Sequence, residues 1–230
     1  MSMAVSWLLF PLVMLVLCLG CGLLLERATG RPLPGPLLPS IGLAVIIVLA
    51  ELPTDRNATA GLATPVVIVV AVAGYALGWR RLRALRPDMW AVGVGCAAFA
   101  LCAAPVVLSG HATFLGYFFL NDTAWHLALV DQLFAHGRDV ASLKPGSFSG
   151  IVKPYLLNQY PVGTQLAAGA VRPLVGQDLA WVLQAYAALL LALVAVALHQ
   201  ILDRGVRVPA LRAATAVTAA MSAPPTKQMA

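Results

Sequence analysis

Charged residues are scarce in this chain. Lysine, arginine, aspartate and glutamate make up 10% of its 230 residues, whereas soluble domains carry about 25%. Hydrophobic residues make up 60%, and the mean hydropathy is +0.86. A water-soluble fold of this length cannot bury so much apolar surface, whereas lipid removes the need to bury it. The composition therefore excludes an ordinary soluble domain and predicts a polytopic membrane protein.

Cysteine is also sparse, and all four cysteines fall within apolar runs. Cys18 and Cys21 have the C-x-x-C spacing of a metal or redox pair, but no second pair accompanies them. We interpret Cys18, Cys21, Cys96 and Cys102 as small hydrophobic side chains. The cysteines therefore predict neither a metal site nor a cofactor.

The apolar runs predict an all-α bundle with five transmembrane helices, because a helix needs about 20 apolar residues to cross a bilayer. The predicted spans are residues 4–25, 37–52, 60–79, 90–109 and 179–201. A further run at 213–223 is too short and too rich in alanine and threonine to cross.

Four parts follow from these spans. Residues 1–109 hold four transmembrane helices, residues 110–178 form a long polar loop, and residues 179–201 form the fifth span. Residues 202–230 are either a cytoplasmic tail or the start of a truncated next helix. The loop contains four of the nine acidic residues and three of the four histidines, so any chemistry is expected there.

Arginine placement predicts the orientation in the membrane. Arginines cluster after the first, third and fifth spans: Arg27, Arg31, Arg80, Arg81, Arg83, Arg86, Arg204, Arg207 and Arg212. Basic connectors usually face the cytoplasm, which places the loop at 110–178 outside the plasma membrane. We interpret the net charge of +6 as this topology signal rather than as a nucleic-acid-binding surface.

The long loop predicts two amphipathic surface helices, at about 122–136 and 164–174. Trp125, Leu129 and Leu133 recur at helical spacing in the first, and Gly137 is a natural helix end. Proline and glycine predict irregular chain between the helices, at 139–158. Asp178 is expected to cap the fifth span.

Asp122 and His126 are the pair that points to chemistry. They stand four residues apart, so both side chains project from one face of the first surface helix. A carboxylate beside an imidazole can act as a general base, the carboxylate taking a proton from an attacking hydroxyl. The alternative is that Asp122 only caps the helix and His126 is a solvated surface residue. Both interpretations stay open at this point.

The order of these parts resembles the N-terminal portion of the GT-C fold glycosyltransferases. The similarity covers roughly residues 90–201: a span, an external loop opening with Asn-Asp-Thr-Ala-Trp-His at 121–126, a helix after Tyr-Pro-Val-Gly at 160–163, and another span. Members of that family are polytopic enzymes that transfer sugars from polyprenyl-phosphate donors. An acidic residue in their first long external loop serves as the catalytic base.

The resemblance implies roles for individual residues. Asp122 matches the family's base, and His126 is the residue that tunes or positions it. Lys153, Tyr160 and Arg172 are the candidate substrate-binding residues, with the two cations suited to the donor phosphate. Alternatively, these cations are ordinary solvated charges. The implied partners are the lipid bilayer and a lipid-linked sugar donor; no metal ligand is assigned, although a divalent cation stays open.

Two other functions are kept as alternatives: a transporter or flippase component, and a non-catalytic membrane scaffold. Transport pathways usually place charged groups at mid-membrane, and the predicted spans contain almost none. The chain ends soon after the fifth span, where the family has further spans. We therefore expect the 230 residues to be a fragment that is inactive alone, and leave open whether the chain is an enzyme.

Overall fold

The computed structural model describes residues 2–111 and 121–222, and for Asn121 and Asp122 it describes the backbone only. Within these ranges the chain forms nine α-helices and no β-strand. In chain order the helices are α1 (Phe10–Thr29), α2 (Leu38–Thr54), α3 (Ala63–Ala84), α4 (Met89–Ser109), α5 (Asn121–His136), α6 (Ser147–Leu157), α7 (Gly163–Val175), α8 (Leu179–Leu202) and α9 (Pro209–Ser222).

Five of these helices are long and apolar enough to cross a membrane, namely α1 to α4 and α8. Short π or 3-10 turns at Val5–Leu9, Gly35–Leu37 and Asn57–Leu62 extend the first three at their N-termini. The predicted spans lie within these helices, apart from a residue or two at an end. The protein is thus an all-α integral membrane protein, and the predicted fold class is confirmed.

Aspartate side chains cap the N-termini of two membrane-spanning helices, α4 and α8. The Asp178 carboxylate accepts a hydrogen bond of 2.9 Å from the Ala180 N–H, as predicted. The Asp88 carboxylate accepts bonds of 3.0 and 3.1 Å from the N–H groups of Trp90 and Ala91. Both caps satisfy backbone donors that the first helical turn leaves unpaired, and both place negative charge at the positive end of the helix dipole.

Glycines allow α1, α2 and α3 to pack backbone against backbone. A Cβ atom on Gly42 of α2 would lie 1.7 Å from the Cys18 carbonyl oxygen of α1. A Cβ atom on Gly74 of α3 would lie 1.8 Å from the Gly20 carbonyl oxygen of α1. Membrane helices gain association energy from such close van der Waals contact, because lipid supplies no hydrophobic drive between them.

The helices α4, α8 and α9 form a second group that packs through small side chains. Its buried apolar residues are Val94, Ala98, Ala192, Ala195, Ala216 and Ala220. Arg212 of α9 forms an ion pair with Asp203 and donates a 3.0 Å hydrogen bond from Nε to Nε2 of the buried His199. These contacts hold the short α9 against the end of α8.

Polar contacts divide the bundle into two ends. At one end, Arg81 of α3 pairs with Glu26 of α1 at 2.8 Å. At the other, Arg138, just after α5, pairs with Glu51 of α2. We call the first the arginine-rich end, because the connectors after α1, α3 and α8 lie there. The described part of the long loop lies at the opposite end, as the predicted alternation requires.

The prediction of irregular chain at 139–158 is wrong, because α6 occupies Ser147–Leu157. The Ser149 hydroxyl donates to the Gly146 carbonyl at 2.8 Å and accepts from the Gly146 N–H at 3.0 Å, which closes the first turn. Buried Val152 and Leu156 then supply tertiary packing. This packing offsets the cost of Pro154, which cannot donate a backbone hydrogen bond inside the helix.

The helix predicted at 164–174 is present as α7, and it packs more deeply than a helix lying on a surface. Six consecutive residues, 166–171, are buried. The Thr64 hydroxyl of α3 donates 2.8 Å to the Ala170 carbonyl, and the Tyr186 hydroxyl of α8 donates 2.7 Å to the Thr164 carbonyl. Helix α7 therefore supports α5, and α6 packs against α5 in turn.

Candidate functional site

Asp122, the predicted base, lies in the first turn of α5. Its side chain is outside the described residues, so its pairing with His126 stays a prediction. The backbone places the two residues four apart in one continuous helix, which puts both on the same face. The site is therefore described from His126 outward.

His126 is half-buried and stacks on Tyr160, which precedes α7. The ring centroids are 5.7 Å apart, and the ring planes are 26° from parallel. Nε2 of His126 and the Tyr160 hydroxyl are 3.4 Å apart, so one proton can be shared between them in either direction, depending on the imidazole tautomer. The contact fixes the imidazole one helical turn from Asp122.

Two further rings extend this contact. Tyr155 of α6 meets Tyr160 edge to face, with centroids 5.1 Å apart and planes at 87°. Trp125 of α5 meets Tyr155 in a similar way, at 5.2 Å and 66°. We call Trp125, His126, Tyr155 and Tyr160 the aromatic cluster. Edge-to-face pairs of this kind each contribute roughly 0.5–1.5 kcal/mol beyond area burial.

A left-handed residue positions Tyr160. Gln159 has a φ of 50°, and no other non-glycine residue in the described ranges has a positive φ. The chain reverses there, and the Tyr160 N–H donates 2.9 Å to the Tyr155 carbonyl. This reversal brings the two tyrosine rings together. A non-glycine residue in this region costs about 1–2 kcal/mol, which the ring contacts offset.

Ion pairs and ring contacts hold α5 against α7. Arg172 of α7 pairs with Asp131 of α5, and its guanidinium carbon lies 5.8 Å from the centroid of the Phe134 ring. A Cβ atom on Gly169 of α7 would lie 2.7 Å from the Phe134 ring, so the two helices touch closely here. These contacts hold α5, the helix that carries His126, against α7.

The end of α5 is fixed to α2 and the turn that follows it. Gly137 ends the helix with a φ of 61°, as predicted. A Cβ atom there would lie 2.5 Å from the Arg56 carbonyl carbon. Arg138 then pairs with Glu51 and, at 3.4 Å, with Asp55. Gly137 and Arg138 thereby attach the end of α5 to the last turn of α2 and to the connector that follows α2.

The predicted substrate-binding residues fall in different surroundings. Tyr160 belongs to the aromatic cluster. Arg172 is already paired with Asp131, so its charge is partly neutralised. Lys153 is exposed on α6 and lines a cavity of about 410 Å³ together with residues of the same helix, including Pro154 and Leu157.

Tyr155 is the site residue that sequence reasoning missed. It falls in the segment predicted to be irregular, so no helical face was available to place it. The signal that was present is the pair Tyr155 and Tyr160, two of the five tyrosines in the chain, separated by only four residues.

No metal or known relative adds to this picture. In the described part of the chain, no three histidine, cysteine, aspartate or glutamate side chains gather as a metal-binding group. The chain matches no protein-family model, no curated protein and no solved structure. The functional argument therefore rests on the residues themselves.

Proposed function

We propose that this integral membrane protein is the N-terminal part of a GT-C-like glycosyltransferase, which moves a sugar from a polyprenyl-phosphate donor to an extracytoplasmic acceptor. The observation that carries the proposal is the aromatic cluster, in which His126 stacks on Tyr160 one turn from Asp122. A unit of three helices, α5 to α7, holds it at one end of the spanning bundle. At the end of a spanning bundle, a site can be reached by a lipid-linked donor from the bilayer and by a hydroxyl acceptor from the water.

The proposed reaction is a displacement at the anomeric carbon of the donor sugar. The Asp122 carboxylate takes the proton of the acceptor hydroxyl, whose oxygen forms a bond to that carbon. The bond between the carbon and the phosphate oxygen breaks, and the lipid phosphate leaves with the electron pair. His126, held by Tyr160, orients Asp122, and the tyrosine rings offer flat apolar faces with polar hydroxyl tips.

Lys153 is the better of the two proposed phosphate contacts. It is exposed on α6, two residues before Tyr155, and no acidic residue with a described side chain forms an ion pair with it. Arg172 would have to leave Asp131 to bind a donor. Under this proposal Arg172 holds α5 in place, and Lys153 meets the phosphate.

Substitution of Asp122 tests the proposal directly. In membranes that contain the full-length protein, we expect Asp122→Asn to reduce sugar transfer from polyprenyl-phosphate donors by at least about 100-fold, since general-base catalysis contributes about 10²–10⁴. The measurement is incorporation of labelled sugar into acceptor, with protein amount in the membrane determined in parallel.

Asp139→Asn is the matched control. Asp139 lies in the same loop, and its carboxylate accepts a 2.9 Å hydrogen bond from the nearby Ala141 N–H. We expect this variant to retain transfer. Normal activity in Asp122→Asn would refute the assigned base, and an absence of transfer by the wild-type protein with every donor tested would refute the enzyme proposal.

No observation on the described residues favours the transporter or flippase alternative. In the described spans, acidic and basic side chains lie only in the last turns, for example Glu26 of α1, Glu51 of α2 and Arg81 of α3. A transport path usually has such groups near the membrane centre. We therefore propose only the transferase.

A further inference from the structure

A second site lies at the arginine-rich end, opposite the aromatic cluster. A cavity of about 740 Å³ opens between the last turns of α1 and α3. Its volume falls within the range of small-molecule sites, about 300–1,000 Å³. Apolar walls come from residues such as Ala76 and Leu77, and four arginines also line it: Arg27, Arg31, Arg80 and Arg81.

The cavity carries uncompensated positive charge. Four arginines and one glutamate line it. The glutamate, Glu26, is already satisfied, because it accepts 2.8 Å from Arg81 Nε and 2.9 Å from the Leu33 N–H. Among the acidic residues with described side chains, none forms an ion pair with the other three arginines. Three arginines that line one concave surface, Arg27, Arg31 and Arg80, therefore have no ion-pair partner among the described acidic side chains.

The apolar side of the cavity lies at the membrane boundary. Leu77 is 61% exposed and Trp79 is 49% exposed, both in the last turns of a membrane-spanning helix. The Arg83 guanidinium carbon lies 4.6 Å from the centroid of the Trp79 ring. Tryptophan and arginine in this arrangement are typical of the depth where lipid headgroups meet acyl chains.

We infer that this cavity binds the phosphodiester headgroup of an anionic phospholipid. Guanidinium groups pair with phosphate oxygens through parallel hydrogen bonds, and Arg27, Arg31 and Arg80 supply several such donors. The acyl chains lie along the exposed residues Ala76 and Leu77. A soluble phosphate would use the arginines alone, whereas an anionic lipid satisfies both the charged and the apolar walls. Basic cavities between membrane helices bind lipid headgroups in this manner.

Thermal unfolding of the full chain in detergent tests the site. Phosphatidylglycerol is expected to raise the Tm of the wild-type protein more than phosphatidylcholine does. In the triple variant R27Q/R31Q/R80Q we expect the affinity for phosphatidylglycerol to fall by at least about tenfold, because each arginine near the membrane surface adds to the attraction for anionic lipid.

A matched triple variant controls for charge. R86Q/R204Q/R207Q removes the same number of exposed arginines from the same end of the bundle but leaves the cavity lining intact. We expect it to keep the wild-type preference for phosphatidylglycerol. An equal loss in both triple variants would overturn the site, because the effect would then be general surface charge.

Glycerol 3-phosphate separates the two sources of a phosphate group. It carries the charge without acyl chains, so we expect it to leave the Tm unchanged. A stabilisation equal to that of phosphatidylglycerol would overturn the lipid assignment in favour of a soluble phosphate. If the cavity triple variant fails to fold, Arg31→Gln is compared with Arg207→Gln, since both side chains are exposed in connectors.

Discussion

The backbone at Gln159 determines where the Tyr160 ring lies. Its side chain is exposed, so a substitution there changes the backbone preference more than any packing contact. We expect Gln159→Val to destabilise the protein by about 1 kcal/mol or more, because a β-branched residue resists a φ of 50°. The measurement is the midpoint of thermal unfolding in detergent.

Gln159→Gly is the companion variant. Glycine adopts the left-handed region freely, although it gives the unfolded chain more freedom, so we expect a change close to zero or a small gain in stability. The test is which of the two variants, Gln159→Val or Gln159→Gly, lowers the midpoint of thermal unfolding more. If glycine destabilised the protein more than valine did, the left-handed conformation at this position would be wrong.

The candidate site could be predicted only as far as one helix extends. Asp122 and His126 share a face because they are four residues apart, and this needs nothing beyond helical geometry. The contact of His126 with Tyr160 depends on a chain reversal 34 residues later. Gln159 gives no sign of that reversal, because glutamine is not a residue typical of the left-handed region. Tyr155 was missed because its segment was predicted to be irregular, so no helical face was available to place its ring.

Close packing between helices makes Gly74 of α3 sensitive to a single methyl group. We expect Gly74→Ala to lower the free energy of unfolding by about 1–3 kcal/mol, as overpacking in a dense interior does. The added Cβ would meet the backbone of α1 at Gly20, which cannot rotate away as a side chain can. Unfolding in a mixed detergent series measures the change.

Gly93→Ala is the control for the glycine substitution. Gly93 lies in α4, and a Cβ atom there meets nothing within 4 Å. Alanine also favours helix over glycine by up to about 1 kcal/mol, so we expect Gly93→Ala to be neutral or stabilising. Equal losses in both variants would contradict the close contact between α1 and α3.

The spans were predictable because length and apolar composition alone identify a membrane helix. The three helices of the long loop, α5 to α7, depend more on contacts with neighbouring helices. Helix α5 is revealed in the sequence by its apolar spacing and by the terminating Gly137, whereas α6 contains Pro154 and is stabilised by buried Val152 and Leu156. The burial of α7 could not be predicted either, because a run of alanine and glycine is compatible with a surface helix and with a buried one. Tertiary packing decides both cases.

Across the described part of the bundle, the arginine-rich connectors and the aromatic cluster lie at opposite ends. The arginines of three connectors gather at one end, while α5, α6 and α7 pack against the other. Because all the connectors belong to one bundle, the orientation of that bundle in the membrane decides on which side each connector lies. The positive-inside rule predicts that the arginine-rich end faces the cytoplasm. The proposed transferase needs the same orientation, because its acceptor is extracytoplasmic.

Thiol labelling in intact cells tests the orientation. We expect Ser147→Cys, exposed at the start of α6, to react with a membrane-impermeant maleimide, and Gly205→Cys, exposed after α8, to react only after permeabilisation. Cys96 is replaced by alanine in both variants because it is the exposed native cysteine, while Cys18 and Cys21 are buried. Because both positions belong to one bundle, their labelling must change together. The reverse pattern would place α5 to α7 in the cytoplasm and would remove the extracytoplasmic acceptor from the proposed reaction.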